Sequence, residues 1–203
     1  MGGSTSDRIL RRLQGRGRGF VFTPTDFLDM GGRASVDQTL SRLARRNKIR
    51  RLSRGLYDYP RANPRLGPLS PTSDAVAQAL ARQNHSVAQI APAQAANLLG
   101  VSTQVPAQAV YLTDGPSRKV QLGRRLIALR HASPKTLVAA GTNAGTVVQA
   151  VRYLGKHASA DAAPLAQHLA AQLSSNDRDV LARQAHRAPH WMQTVLKQIA
   201  RAS

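Results

Sequence analysis

The chain has 203 residues, 42% of them hydrophobic, which is enough for one or two domains with a real core and too apolar for a disordered tail. Twenty-nine Lys and Arg stand against ten acids, all of them Asp, so the formal charge is +19; the expected partner is a polyanion, nucleic acid first and an anionic membrane surface second. Cysteine is absent, which excludes disulfides and thiolate-held metals.

The opening Met1-Gly2-Gly3-Ser4-Thr5-Ser6 lacks the apolar stretch of a secretory signal, and no apolar run approaches the ~20 residues of a membrane span, so a cytoplasmic protein away from membranes is expected. Residues 1–61 carry fourteen Lys/Arg and five Asp, and residues 62–203 carry fifteen and five. Basic charge is therefore densest in the first third of the chain.

In chain order, residues 6–14 place Ile9, Leu10 and Leu13 on one face of a short helix, with Ser6 as its cap and Arg8, Arg11 and Arg12 on the other face. Gly15-Arg16-Gly17-Arg18-Gly19 ends it, and Phe20-Val21-Phe22 reads as a short strand. Thr23-Pro24 starts a second helix over 24–30 that turns Phe27 and Leu28 inward, and Gly31-Gly32 closes it. Ser35 is expected to cap a third helix over 36–47, where Val36, Leu40, Leu43 and Ala44 make the inward stripe. Its outward residues are Asp37, Gln38, Thr39, Ser41, Arg42, Arg45 and Arg46. Residues 49–52 and 56–59 flank Ser53-Arg54-Gly55 as a basic β-hairpin.

The stretch 60–71 holds four Pro and a Gly and reads as a linker, so the expected division is 1–61 and 62–203. Beyond it the expectations are a helix over 74–82 capped by Thr72 or Ser73, a strand at 87–90 and an Ala-rich helix at 92–99 closed by Gly100. Strands follow at 109–112, 119–122 and 126–130, then helices at 143–154, 165–172, 177–188 (capped by Ser175 or Asn176) and 191–202. The fold class is α+β: an N-terminal winged helix–turn–helix, then a mixed α/β domain ending in a small helical bundle.

Three short helices followed by a basic hairpin is the order of a DNA-binding winged helix. The third helix would enter the major groove with Ser35, Gln38 and Thr39 at base edges, Gln38 suiting adenine and Arg42 guanine. Arg45, Arg46 and Lys48 suit phosphates, and the wing residues Arg50, Arg51 and Arg54 suit backbone or the neighbouring minor groove. Arg16 and Arg18 would clamp an adjacent phosphate. Asp37 would repel phosphate unless it pairs with Arg33 or meets a base amino group.

The six His are scattered without metal-ligand spacing: the helix that would align His186 and His190 is broken by Pro189. Gly15–Gly19 is no phosphate loop, since no strand precedes it. No nucleophile has a nameable base. A binding protein without metal or cofactor, and not an enzyme, is expected.

Residues 22–27, 36–43 and the run Asn47-Lys48-Ile49-Arg50-Arg51-Leu52-Ser53-Arg54-Gly55-Leu56-Tyr57 resemble the N-terminal winged helix of AbiEi-type antitoxins, with Asn47 or Lys48 where that family has Gly. The later Pro–Thr–x–x–Ala helix start, Gln94-Ala95-Ala96-Asn97-Leu98-Leu99-Gly100 and the strands around Val110 and Val120 are similar to the same family. The resemblance fades beyond about Tyr153. It implies the antitoxin of a type IV toxin–antitoxin, abortive-infection pair that represses its own operon at inverted repeats in double-stranded DNA and counters a nucleotidyltransferase-like toxin.

Two other classes stay open. One is a protein–protein interaction module whose charge serves an acidic partner. The other is an RNA-binding protein or nuclease, ranked last because carboxylates are dispersed and only 4% of residues are aromatic.

Overall fold

A computed structural model describes residues 4–155 and 162–202. Residues 1–3 and His157 lie outside the described span. The protein is mixed α+β, and it divides into two compact units, Met1–Ser86 with Val120–Ile127 and Val87–Lys119 with Ala128–Ser203. Among the described residues no helix is long and apolar enough to cross a membrane.

The first unit begins with α1 (Thr5–Arg16). Its cap is Ser4 rather than Ser6: Ser4 Oγ accepts from the Asp7 N–H at 3.3 Å while the Asp7 carboxylate accepts from the Ser4 N–H at 3.2 Å. Strand β1 (Val21–Phe22) leads into a 3-10 helix over Pro24–Met30. A 3-10 helix repeats every three residues, so Pro24, Phe27 and Met30 share the buried face and Leu28, expected inward, is 43% exposed.

Helix α2 (Arg33–Arg45) starts two residues before the expected cap. Gly32 takes the extended N-cap backbone itself (φ −61°, ψ 154°), which leaves Ser35 inside the first turn. The inward stripe is Val36, Thr39, Leu40 and Leu43 at i, i+3, i+4 and i+7. It joins Ile9 and Leu13 of α1 with Phe22, Phe27 and Ile49 in one core, where the Phe22 and Phe27 rings meet edge-to-face at 5.3 Å.

Strands β2 (Arg50–Ser53) and β3 (Leu56–Asp58) form the hairpin, turned at Gly55 with φ +70°, and β1 adds to the other edge of β3. The antiparallel register sets Arg50 opposite Asp58. The proline-rich stretch, expected as a linker, folds back as a ribbon of β4 (Ala62–Asn63) and β5 (Gly67–Pro68). Asn63 Oδ1 accepts from the N–H groups of Arg65 and Leu66 to close its turn.

Helix α3 (Ser73–Gln83), capped by Thr72, belongs to the first unit as well: Arg82 donates to the Val21 carbonyl at 2.7 Å and pairs with Asp26 at 3.1 Å. The first compact unit runs to Ser86 and takes in Val120–Ile127, while the sequence expectation is a boundary at 61. Arginine side chains reaching backbone carbonyls hold residues 62–86 to the basic module.

Strands β6 (Ala88–Ile90), β7 (Ala109–Thr113), β8 (Arg118–Leu122) and β9 (Arg125–His131) make a four-stranded sheet in the order β6-β7-β9-β8, and α4 (Pro92–Leu98) lies between β6 and β7 in the chain. The second unit ends in α5 (Asn143–Leu154), α6 (Ala162–Ala170), α7 (Ser175–Gln184) and α8 (His190–Arg201). Met192, Val195, Leu196 and Ile199 line one stripe of α8 and pack with Val147, Val151, Leu169 and Leu181, while Trp191 is half-buried against the same cluster.

Gly145, in the first turn of α5, is a point of very close approach. An added Cβ would sit 2.3 Å from the Ala139 carbonyl oxygen and 2.6 Å from Gln89 Oε1. Gln89 Oε1 is itself fixed by the Gly141 N–H at 2.9 Å, and Gln89 Nε2 donates to Thr146 Oγ1. Gly145→Ala is therefore expected to cost about 2 kcal/mol in a urea titration, because backbone and a fixed amide must both move. Gly15→Ala, whose new Cβ meets nothing within 4 Å, should be neutral or stabilising.

Helix α7 is capped by Ser174, one residue before the expected Ser175. The Asp177 carboxylate accepts from the Ser174 hydroxyl at 2.6 Å and from Asn143 Nδ2 at 3.3 Å, and those donors, the Ser174 hydroxyl foremost, hold it below the ordinary carboxylate value. Its contribution is full above the unfolded value of about 3.9 and is lost as pH falls through the depressed folded value. Asp177→Asn should lower stability by about 1–2 kcal/mol at neutral pH. The gap from wild type should narrow in thermal melts as pH is lowered below the unfolded value.

Candidate nucleic-acid interface

The residues singled out in the first 61 positions lie on α2, on the β2–β3 hairpin, between the two, or at the end of α1 and just after it. On α2, Ser35, Gln38, Arg42 and Arg45 are exposed, as are Arg46 and Lys48 just beyond it. At the hairpin Arg51 and Arg54 are exposed, Arg51 Nε reaching only the Ser53 carbonyl at 3.4 Å.

Two residues expected at DNA are buried or bonded within the protein itself. Thr39 is 3% exposed, because its position completes the buried stripe of α2. Arg50 is spent inside the protein: Nε donates to Asp58 Oδ1 at 3.0 Å, and Nη2 donates to Asp58 Oδ2 and to the Leu69 carbonyl at 2.7 Å. Donating to the Asp58 carboxylate raises the Arg50 value further above its ordinary one. Arg16 and Arg18 keep exposed heads but lie over aromatic rings, Arg16 5.7 Å from the Phe20 centroid and Arg18 4.9 Å from that of Tyr59; Arg18 also donates to the Pro60 carbonyl.

The acids near this face are neutralised locally. Asp37 pairs with Arg33 at 2.9 Å, which removes the repulsion it would otherwise exert on phosphate. Asp29 pairs with Arg12 at 2.6 Å, and the hydrogen bond from Arg12 holds its carboxyl below the ordinary value. Asp26 pairs with Arg82 and Asp58 with Arg50. What remains in water is a set of cations on α2 and the hairpin.

Sequence reasoning missed the hydroxyls of Ser4, Thr5 and Ser6, which share a cavity with α2. The signal that could have found them is the Ser4-x-x-Asp7 capping pattern, which sets the helix start two residues earlier than Ser6. It also left out Arg11, an exposed cation on α1. Among the described residues no group of three or more His and Asp is placed to hold a metal ion.

The sequence model of a family of unknown function, DUF6088, matches residues 8–180. The chain belongs to that family. In this DUF6088 chain the matched span takes in all of β1, α2 and the hairpin and stops within α7, leaving α8 outside it. No curated protein and no solved structure matches the chain.

Proposed function

We propose that the protein is a DNA-binding transcriptional repressor whose first unit acts as a winged helix–turn–helix, with α2 as recognition helix and the β2–β3 hairpin as wing. The observation that carries this reading is the cationic face: Arg42, Arg45, Arg46, Lys48 and Arg54 are exposed and have no carboxylate partner among the described residues, while Asp26, Asp29, Asp37 and Asp58 pair with other arginines. Exposed Gln38 sits on the same helix and suits bidentate pairing with adenine. The cations supply phosphate contacts that carry affinity and register but no sequence information. The protein acts by binding, on inverted repeats upstream of its own operon.

The likeness of residues 47–57 and 94–100 to AbiEi-type antitoxins extends the proposal. In that reading the chain is the antitoxin of a type IV pair and counters a nucleotidyltransferase-like toxin encoded beside it. The exposed cations on α2 and the hairpin suit a polyanion, and their place on a helix followed by a hairpin favours DNA as that polyanion.

The test is a gel shift with DNA from upstream of the protein's own gene at about 150 mM salt, where non-specific binding weakens. A shift that random duplex fails to compete supports the repressor, and no sequence-specific shift rejects it. Growth rescue on co-expression with the adjacent nucleotidyltransferase-like gene supports the antitoxin role. Toxicity unrelieved by a chain that still shifts DNA removes that role alone.

A further inference from the structure

A cavity of about 400 Å³ lies in the first unit where the start of α1 faces α2. Its walls include Thr5, Ser6, Ser35, Thr39, Arg42 and Arg46. Thr39 is 3% exposed, yet its hydroxyl makes no hydrogen bond among the described residues. Thr39 lines the cavity, so its hydroxyl is available there to donate to or accept from a ligand.

The other walls say which ligand. Arg42 and Arg46 stand at i and i+4 on one face of α2, and neither side chain has a partner among the described residues. Helix α1 has twelve residues, and the N–H groups of Thr5 and Ser6 in its first turn have no intrahelical acceptor. They add donors and the positive end of the helix dipole. The nearby Asp7 carboxylate is held by Ser4 N–H and Oγ and is no part of the wall. Two guanidinium groups, several hydroxyls, a helix N-terminus and no carboxylate make a site for a tetrahedral oxyanion.

We propose that this cavity is a phosphate seat that takes one backbone phosphate of duplex DNA and so sets how deeply α2 enters the groove. The proposal rests on the DNA-binding reading above for the source of the phosphate, though not for its chemistry. It also redirects Arg42: the residue expected at guanine turns to the backbone, and Gln38 is left as the base contact of α2.

The experiment uses the full chain, a 20-base-pair duplex of random sequence and inorganic phosphate as probes, and the variants Thr39→Val, Thr39→Ser and Arg46→Ala. Thr39→Val puts a methyl group in place of the hydroxyl at nearly the same volume; Thr39→Ser keeps the hydroxyl and drops the methyl group. Thr39→Val should bind the duplex about 10-fold more weakly with an unchanged salt slope, and Thr39→Ser should recover most of that loss. Arg46→Ala should lower the slope of log K against log salt by about 1. At constant ionic strength, inorganic phosphate should raise the wild-type melting temperature and leave that of Thr39→Val and Arg46→Ala unmoved.

Wild-type affinity and salt slope in both variants, with no phosphate-dependent melting shift in wild type, would overturn the seat. A phosphate shift that the variants lose, with duplex binding untouched by them, assigns the seat to a free phosphate ester and overturns the backbone assignment. A phosphate shift in a wild-type protein that binds no duplex does the same, and it also removes the DNA-binding reading while the oxyanion site stands.

Discussion

Replacing Arg42, Arg45 and Arg46 together with alanine is expected to weaken operator binding at least about 100-fold at 150 mM salt and to leave the fold intact. The three side chains are exposed, and none is in an ion pair or a side-chain hydrogen bond within the described protein. Surface substitutions of that kind usually change stability by less than about 0.5 kcal/mol. Each charge-assisted contact to phosphate is worth about 1.5–3 kcal/mol, and losing three of them sets the expected scale. The slope of log K against log salt should fall by roughly 3, since each neutralised phosphate contributes about 0.9. Circular dichroism and melting separate the two arms. An intact triple variant that binds the operator as wild type does would end the assignment of α2 as the DNA-binding helix.

Most of the element order was legible in the sequence, and the reasons it failed in places are physical. Helix α5 runs over the expected residues because its stripe, its cap and its closing glycine agree. The start of α2 differs because Ser35 outranks Gly32 as an N-cap by residue type, yet the helix begins from the extended backbone of Gly32. The misjudgement of Leu28 came from applying the α-helical repeat to a segment that winds as a 3-10 helix.

The site was legible where it depends on residue type and hidden where it depends on packing. Exposed Gln38, Arg42, Arg45 and Arg46 follow from the helical repeat alone. Thr39 looked outward because it is polar, but it falls in the arc of α2 that joins the core with α1. Nothing local separates Arg50 from Arg51. The difference appears only once the hairpin register sets Arg50 opposite Asp58, with the Leu69 carbonyl arriving from the ribbon beyond. Arg51 is the next residue along the strand, and it stays in water.

That contrast gives the second large effect: Arg50→Ala is expected to cost about 3–4 kcal/mol of stability while changing DNA affinity little. Asp58 is 1% exposed, and its carboxylate is met by two donors of the Arg50 guanidinium. Breaking a buried pair from one side leaves a charge in the interior without compensation, at a cost of about 3–5 kcal/mol. The Arg50 side chain is 31% exposed, so water can enter the vacated space, which places the effect toward the lower end of that range. The Leu69 carbonyl loses its donor in the same step. Arg50→Lys keeps a charge but not the planar fork that serves Asp58 and Leu69 together, and should fall between the two. The double variant Arg50→Met, Asp58→Leu should recover most of the loss, because an apolar pair of similar volume carries no desolvation penalty. Urea denaturation of wild type, Arg50→Met, Asp58→Leu and the double variant measures the coupling directly. Operator affinity, measured where Arg50→Ala is still folded, then separates the two roles of arginine in this hairpin. An unchanged salt slope is the expected result, and a slope lowered by about 1 would return Arg50 to the phosphate contacts and sink its assignment as a purely internal partner of Asp58.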